Sequence, residues 1–203
     1  MSGAGRRRFP WKRVLQAAVL LLAVRLVLGL ALNSMLRLSG PGGEILYGCE
    51  IGRGAFAANY YWDGTEEGMD FTIPDRVLGY RVKALGGVSL RTPCAFCLSL
   101  PESFGQGKEG FGEDRWDDEL ERHPDAYVEE LPFTLHIGKY LEDVRFDLFQ
   151  SEYGLDAQGR EVLRHVTLYV DCDPANKTFY SENGVLYERA TGKPVLGTVR
   201  ETP

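Results

Sequence analysis

An apolar run near the N-terminus is the strongest constraint on this chain. Val14 to Leu36 is about long enough to cross roughly 30 Å of hydrocarbon, and it follows the basic sequence RRRFPWKR. Basic flanks are retained in the cytoplasm during membrane insertion. We therefore expect residues 1–38 to form a cytoplasmic basic segment and a single-pass membrane anchor, followed by an extracytoplasmic domain.

Arg25 lies inside this apolar run and leaves a second interpretation open. A cation at mid-span costs about 2.5–3.5 kcal/mol on insertion scales. A shorter apolar region, Val14 to Val24, followed by the small-x-small sequence Gly29-Leu30-Ala31, is typical of a cleaved signal peptide, which would make the protein secreted. The third alternative, the core helix of a cytosolic protein, is the least favoured because one face of the helix would have to carry Arg25 into the core. The first two interpretations both place the folded domain outside the cytoplasm.

The charge distribution argues against a nucleic-acid partner. The first forty residues contain seven basic residues and no acid, whereas the whole chain has a formal charge of −6, which leaves −13 for the remainder. Nucleic-acid binding requires a basic face. We expect a protein or cell-surface partner of unknown identity, and we expect the membrane to be contacted through residues 14–36.

The expected state of the cysteines follows from the location of the domain outside the cytoplasm. In an exported chain, four thiols allow two disulfides, although their connectivity cannot be deduced. Cys94-Ala95-Phe96-Cys97 also fits a redox or zinc motif, but a thioredoxin-like site needs a helix after the first cysteine, and zinc needs a second close pair. We expect paired or buried cysteines and keep an exported thiol-disulfide protein as the alternative. The four residues are Cys49, Cys94, Cys97 and Cys172.

The rest of the chain predicts a mainly β fold with few short helices. SGPGG, residues 39–43, is predicted to be a flexible tether, and residues 44–203 are predicted to form the extracytoplasmic domain. Short segments of β-branched and aromatic residues alternate in polarity as half-buried strands do. They are 71–73, 80–82, 133–137, 166–170 and 185–187, and the sequence 185–196 is typical of a hairpin with Thr191-Gly192 in its turn.

Helical signals are weak and lie at two places. Residues 113–123 are polar, and residues 140–154 place Leu141, Val144 and Leu148 at a spacing that fits one helix face. Residues 102–130 hold eleven acids against three bases and are predicted to form a solvated acidic insertion. A calcium site there is the less favoured hypothesis, because no twelve-residue loop has oxygen ligands at the required spacing.

Short motifs recur along the domain, although without a constant spacing. An apolar residue followed by proline recurs at 73–74, 100–101 and 131–132, and an apolar residue followed by glycine recurs at 51–52, 85–86 and 137–138. Ala-Phe occurs at 55–56 and 95–96. Proline ends a strand because it cannot donate to the ladder, and glycine permits the turn. These motifs indicate repeated strand units.

At these residues the sequence resembles the BspA-like class of bacterial leucine-rich repeats, which occur in exported and surface proteins. IGRGAF (51–56) and FTIPDRV (71–77) resemble one repeat unit, CAFCLSLP (94–101) and LPFTLHIG (131–138) resemble eroded copies, and 168–196 resembles a connecting element of such proteins. The resemblance implies an open-edged stack of short strands whose outer face meets another molecule, and it implies no chemistry. A compact β-rich fold that shares only the strand-proline pattern is the alternative.

No complete catalytic constellation is found in the sequence, so we expect a binding or structural protein without a cofactor. The motifs G-x-S-x-G and S-x-x-K are absent, and the three histidines, His123, His136 and His165, have no metal-ligand spacing. Asn176-Lys177-Thr178 fits the N-glycosylation pattern. The aromatic run Tyr60, Tyr61 and Trp62 is the candidate binding surface for a sugar or a partner, and its alternative is the end of a strand at a turn. A carbohydrate-binding or carbohydrate-active domain is therefore a further hypothesis.

Overall fold

The computed structural model describes residues 11–33, 35–50, 52–89, 92–101 and 109–200. One long helix, α1 (Trp11–Asn33), precedes a curled β-sheet domain. The prediction of a mainly β fold with few short helices is confirmed.

Helix α1 is apolar and lies outside the core. Its span Trp11–Leu30 is 20 residues long, has a mean hydropathy of 2.0 and has none of its residues buried, so by length and composition it could cross a membrane. A signal sequence near the N-terminus would have the same properties. The predicted run ended at Leu36, but Leu36 begins the first strand. Of the basic sequence RRRFPWKR, only the last three positions lie within the described residues.

Strands make up most of the domain. In chain order they are β1 (Leu36–Gly40), β2 (Gly43–Glu50), β3 (Gly54–Trp62), β4 (Asp70–Ile73), β5 (Arg76–Val77), β6 (Tyr80–Leu85), β7 (Gly87–Ser89), β8 (Thr92–Cys94), β9 (Phe96–Ser99), β10 (Glu109–Phe111), β11 (Tyr127–Ile137), β12 (Asp143–Val144), β13 (Phe146–Phe149), β14 (Ser151–Leu155), β15 (Glu161–Cys172), β16 (Phe179–Glu182), β17 (Val185–Glu188) and β18 (Pro194–Leu196).

The parallel strands are arranged in three stacked rungs that pass through two sheets. In the first sheet, β3 pairs in parallel with β6 along one part of its length and with β9 along another, and these pair in turn with β12 and β13. In the second sheet, β4, β11 and β15 lie side by side in parallel. The first rung is therefore β3 and β4, the second is β6, β9 and β11, and the third is β12, β13 and β15.

The register of the second sheet aligns apolar residues across the rungs. Phe71 lies beside Leu135, which lies beside Val170, and Ile73 lies beside Ile137. The segments 71–77 and 131–138 therefore stack in register over 70–73 and 134–137. The segment 94–101 does not join them, because β9 belongs to the first sheet.

The core lies between the two sheets. Its residues from the first sheet include Ala57, Tyr60, Trp62, Leu85, Phe96 and Leu98, and those from the second include Phe71, Ile73, Phe133, Leu135, Val166 and Leu168. The rings of Tyr60 and Phe71 stack with centroids 4.0 Å apart, and the rings of Trp62 and Phe133 meet edge to face at 5.2 Å. These aromatic contacts join the sheets.

Two hairpins flank the rungs. The segment 39–43, predicted to be a flexible tether, instead forms the turn and strand ends of the β1–β2 hairpin, in which Leu36 pairs with Tyr47 and Gly40 with Gly43. Gly42 has a φ of 73°, which the turn requires. At the other end of the chain, β17 and β18 form the predicted hairpin, with Gly192 at a φ of 67° in its turn.

The predictions for the helical and acidic segments have different outcomes. The helix predicted over 113–123 is confirmed as a 3₁₀ turn, Glu113–Arg115, followed by α2 (Trp116–Arg122). The helix predicted over 140–154 is wrong, since this segment forms β12, β13 and β14. The spacing of Leu141, Val144 and Leu148 fits a helix, but Val144, Phe146 and Leu148 also fit strand alternation. The segment forms strands because β12 pairs with β6 and β13 pairs with β9, and this tertiary pairing outweighs the local helical spacing.

The acidic insertion is not one solvated loop. Residues 102–108 lie outside the described part of the chain, but 109–130 form β10, the 3₁₀ turn, α2 and the start of β11. Glu119 is 1% exposed, and Arg115 and Arg122 each lie 2.8 Å from its Oε1. The prediction failed because acidic composition does not show which carboxylate is paired.

Asn176 has a structural role that its glycosylation pattern does not indicate. It is 3% exposed, and its Nδ2 donates to the carbonyl oxygens of Gly138 at 2.9 Å and Leu141 at 3.1 Å. Its Oδ1 accepts from the backbone N–H groups of Thr178 and Phe179. Because both amide protons are engaged in the interior, a glycan on this nitrogen is incompatible with the fold.

We expect Asn176→Ala to lower the free energy of unfolding by about 2–4 kcal/mol, because two carbonyls and two amides lose their partner. Chemical unfolding of the full chain in mild detergent measures this difference. Lys177→Ala, at the exposed next position, is the matched control and should change stability by less than about 0.5 kcal/mol. Equal stability of the two variants would contradict the structural role.

Candidate functional site

The predicted aromatic binding surface is largely a core element. Tyr60 is 1% exposed and Trp62 is 4% exposed, so neither ring has a free face for a sugar or a partner. Tyr61 alternates to the outer face, where the guanidinium carbon of Arg37 lies 4.2 Å from its ring centroid. The prediction of a binding surface is therefore corrected for Tyr60 and Trp62, and the alternative of a strand end at a turn describes them.

Polar atoms of these two aromatic residues also bind backbone. The Tyr60 hydroxyl lies 2.9 Å from the carbonyl oxygen of Gly42 and 2.8 Å from that of Gly68, between which it shares its proton. Burial raises the pKa of the Tyr60 hydroxyl well above its ordinary value, so it stays a donor. Trp62 Nε1 donates to the carbonyl oxygen of Thr65 at 2.6 Å.

Replacing Tyr60 with phenylalanine tests this structural assignment. We expect Tyr60→Phe to lower the free energy of unfolding by about 1–2 kcal/mol, because two buried carbonyls lose their donor. Tyr61→Phe is the adjacent control and should change stability by less than about 0.5 kcal/mol. Denaturant titration of both variants measures the two values, and a larger effect at Tyr61 would show that the assignment is reversed.

The four cysteines lie at three different places. Cys49 is in β2 and is 3% exposed. Cys172 ends β15, where its thiol donates to the carbonyl oxygen of Asp173 at 3.6 Å. Cys94 ends β8, Cys97 lies in β9, and both line one crevice on the outer face of the first sheet. The structure thus brings together the two cysteines of the CxxC motif and leaves the other two elsewhere.

This thiol crevice has a volume of about 620 Å³. Its floor is the outer face of β2, β3 and β9, and its roof is the segment 110–115, the end of β10 and the turn before α2. Its lining comprises Met35, Leu46, Ala58, Asn59, Cys94, Cys97, Leu98, Ser99, Gly110, Phe111, Gly112, Asp114, Arg115 and Gln150.

Apolar side chains dominate the thiol crevice, and a few polar groups point into it. Asn59 and Ser99 lie on neighbouring strands and bond to each other, with Asn59 Nδ2 donating to Ser99 Oγ at 3.0 Å. At the roof, a Cβ on residue 110 would lie 2.4 Å from Gln150 Nε2, so glycine allows this close approach. An apolar cavity with a small number of convergent polar groups is the usual form of a binding site.

The thiols of the crevice are not placed as in an exchange enzyme. Cys94 and Cys97 lie on strands, with Ala95 as the break between them, and neither begins a helix. The low thiolate pKa of exchange enzymes depends on a helix N-terminus or a neighbouring cation, and Arg115, the cation in this lining, is paired with the Glu119 carboxylate at 2.8 Å.

Cys172 is a partly buried thiol that serves as the reference for the other cysteines. Burial raises the pKa of the Cys172 thiol to about 11. Because a raised pKa keeps the thiol protonated, the reactive thiolate fraction at pH 9 should be roughly fifty- to a hundredfold below that of an ordinary cysteine. Alkylation followed by peptide mass spectrometry should show the Cys172 rate rising up to about pH 11. A plateau below pH 9 would contradict this burial.

Each histidine lies within 4 Å of two carboxylates. His136 Nε2 is 2.8 Å from Asp70, and its Nδ1 is 3.9 Å from Asp171. His165 lies between Glu113 and Glu130, and the hydrogen bond to Glu113 raises its pKa above the ordinary histidine value. Among the described residues, no group of three or more His, Cys, Asp or Glu side chains is arranged to hold a metal ion. These contacts make the histidines parts of ion-pair networks.

No protein-family model, no curated protein and no solved structure matches this chain. The resemblance to BspA-like leucine-rich repeats therefore stays a prediction.

Sequence reasoning found the thiols of the crevice but missed its other residues. Asn59, Ser99, Phe111 and Gln150 belong to segments that are far apart in sequence and meet only through the pairing of β9 with β3 and the passage of β10 above them. Gly110-Phe111-Gly112 carried one usable signal, an apolar residue between two glycines inside an acidic segment. That signal indicates a close backbone approach and a buried ring, and Phe111 is indeed 5% exposed.

Proposed function

We propose that this protein is a single-pass, membrane-anchored binding protein whose β-rich domain lies outside the cytoplasm and receives a protein partner in the thiol crevice. The crevice is the observation that supports binding. Its apolar floor and the polar groups of Asn59, Ser99 and Gln150 suit an apolar side chain of a partner together with its backbone. In this proposal the domain binds and does not catalyse.

The position of α1 supports anchorage. None of the residues in its 20-residue candidate span is buried, and three consecutive arginines, residues 6–8, precede it in the sequence. Basic residues before a first span favour a cytoplasmic N-terminus. Arg25 lies five residues before the outer end of this span, where a long side chain reaches the interface at a lower cost than at mid-span. If the span were cleaved as a signal, the same domain would be secreted.

The stacked rungs support a scaffold that displays a surface. Parallel strands in register present their alternate side chains in rows, as in repeat proteins that use such rows for binding. The rows of the second sheet are polar on the outside, with Thr72 beside His136 and His136 beside Asp171. This arrangement fits the predicted resemblance to leucine-rich repeats, which we retain as part of the proposal.

Site-specific photo-crosslinking in native membranes tests the proposal. A photoreactive amino acid at Ser99, inside the thiol crevice, should give a protein adduct, whereas the same amino acid at Leu155, an exposed position in β14, should not. Phe111→Ala, which removes an aromatic side chain lining the crevice, should reduce the Ser99 adduct severalfold. Equal adducts from Ser99 and Leu155, or none from Ser99, would reject the crevice as the binding site.

A second candidate function is thiol-disulfide exchange, since Cys94 and Cys97 share this crevice. It predicts that one of these thiols alkylates at neutral pH much faster than Cys172 and that the pair has a reduction potential near those of exchange enzymes. Slow alkylation of both, at rates similar to an ordinary cysteine, would reject it. Trp62 offers no ring face on which a sugar could stack, because that ring is buried.

A further inference from the structure

The turn between β5 and β6 exposes an apolar side chain beside helix α1. Leu78 occupies the tip of this turn with 41% of its surface exposed and a φ of 47°. Gly79 follows with a φ of 81°, and Arg76 Nη1 donates to its carbonyl oxygen at 2.9 Å. The hydrogen bond and the two left-handed residues hold the leucine outward.

Tyr80, the first residue of β6, joins this turn to α1. Its hydroxyl donates to the carbonyl oxygen of Arg25, and the guanidinium carbon of Arg25 lies 4.8 Å from its ring centroid. A Cβ on Gly29 would lie 2.7 Å from the Tyr80 hydroxyl, so the close approach of this hydroxyl to the helix requires glycine at position 29. The turn is therefore positioned against the last part of the candidate span.

The depth of the contact follows from helix geometry. Arg25 is five residues from Leu30, the outer end of the candidate span. At 1.5 Å per residue this distance is about 7 Å. If Trp11–Leu30 crosses the bilayer, the turn meets the headgroup and upper acyl region, where apolar, aromatic and basic side chains occur together.

Basic residues gather around a tyrosine next to the same turn. The ring centroid of Tyr140 lies 4.5 Å from the guanidinium carbon of Arg81, 5.6 Å from that of Arg76 and 5.2 Å from Lys139 Nζ. We call Arg76, Leu78, Arg81, Lys139 and Tyr140 the membrane-facing patch. Its three cations contrast with the charge of −13 carried by residues 41–203.

Carboxylates next to the patch neutralise only part of it. Asp75 lies 2.7 Å from Lys139 Nζ, and Asp173 also acts on Lys139 electrostatically. Glu142 pairs with Lys83 at 2.9 Å, outside the patch. With Arg25 and Lys83 included, five cations are present against three carboxylates, so the region around the β5–β6 turn keeps a positive excess.

We propose that the membrane-facing patch binds the anionic phospholipid headgroups of the leaflet that surrounds the outer end of α1, with Leu78 inserted between the lipids. Each basic residue near an anionic surface adds favourable electrostatic energy, and the exposed leucine adds apolar contact. This inference depends on the anchorage in the proposed function. It goes beyond anchorage because it assigns a second, lipid-specific contact to the folded domain.

The test uses the full chain reconstituted into vesicles of neutral phosphatidylcholine, with or without about 30 mol% phosphatidylglycerol as the anionic lipid. Leu78→Trp should be quenched by lipids brominated near the headgroup end of the acyl chain at least about twofold more than Leu155→Trp, and more strongly when the anionic lipid is present. The double variant Arg81→Gln/Lys139→Gln should lose the extra quenching of Leu78→Trp that the anionic lipid causes. Arg160→Gln/Lys193→Gln, an equal charge change on other turns, should keep it.

Two outcomes overturn the inference. In the first, Leu78→Trp is quenched no more than Leu155→Trp. In the second, the extra quenching on anionic vesicles persists in the Arg81→Gln/Lys139→Gln variant. Flotation of the vesicles in high salt is measured in the same samples. Absence of the chain from the floated fraction would reject the anchorage itself, and flotation without quenching would reject the patch alone.

If Leu78→Trp does not fold, hydrogen exchange of residues 76–81 in the natural sequence should slow severalfold on anionic vesicles, and an unchanged rate would reject the patch.

Discussion

The aromatic contact between the two sheets is the interaction on which the rest of the domain depends. Tyr60 stacks on Phe71 within the first rung, and Trp62 meets Phe133 of the second rung edge to face, so large rigid side chains hold the two sheets together across the core. The hydroxyl of Tyr60 binds Gly42 and Gly68. One residue thus fixes the distance between the sheets and ties two turns to the end of the stack.

Parallel pairing then determines where the residues of the candidate site lie. Because β9 pairs with β3, Cys97 lies beside Asn59, and the segment 110–115 covers both as the roof of the thiol crevice. Because β11 pairs with β4 and β15, the outer face of the second sheet carries His136 between Thr72 and Asp171. Both surfaces are products of long-range register, and neither exists within one segment of the chain.

Local pattern predicted the strands and some turns, because alternation and glycine positions are properties of neighbouring residues. Residues 71–73 were expected to form a half-buried strand, and Phe71 and Ile73 of this strand are both buried. Local pattern failed where one sequence fits two structures. Pro41-Gly42 is typical of both a flexible tether and a hairpin turn, and residues 140–154 fit both a helix and a strand. It could not predict that Tyr60 and Trp62 face the core, nor that segment 94–101 joins a different sheet from 131–138, since both depend on the partner strands.

The short connection between α1 and β1 restricts how the domain is held. Residues 34 and 35 alone separate Asn33 from Leu36, and Met35 itself lines the thiol crevice. A link of two residues leaves little freedom to swing, so a domain on a bilayer-spanning α1 would have a restricted orientation, with the Met35 side of the crevice nearest the membrane. Under the proposed function, a partner embedded in the same bilayer would then reach the crevice more readily than a large soluble protein.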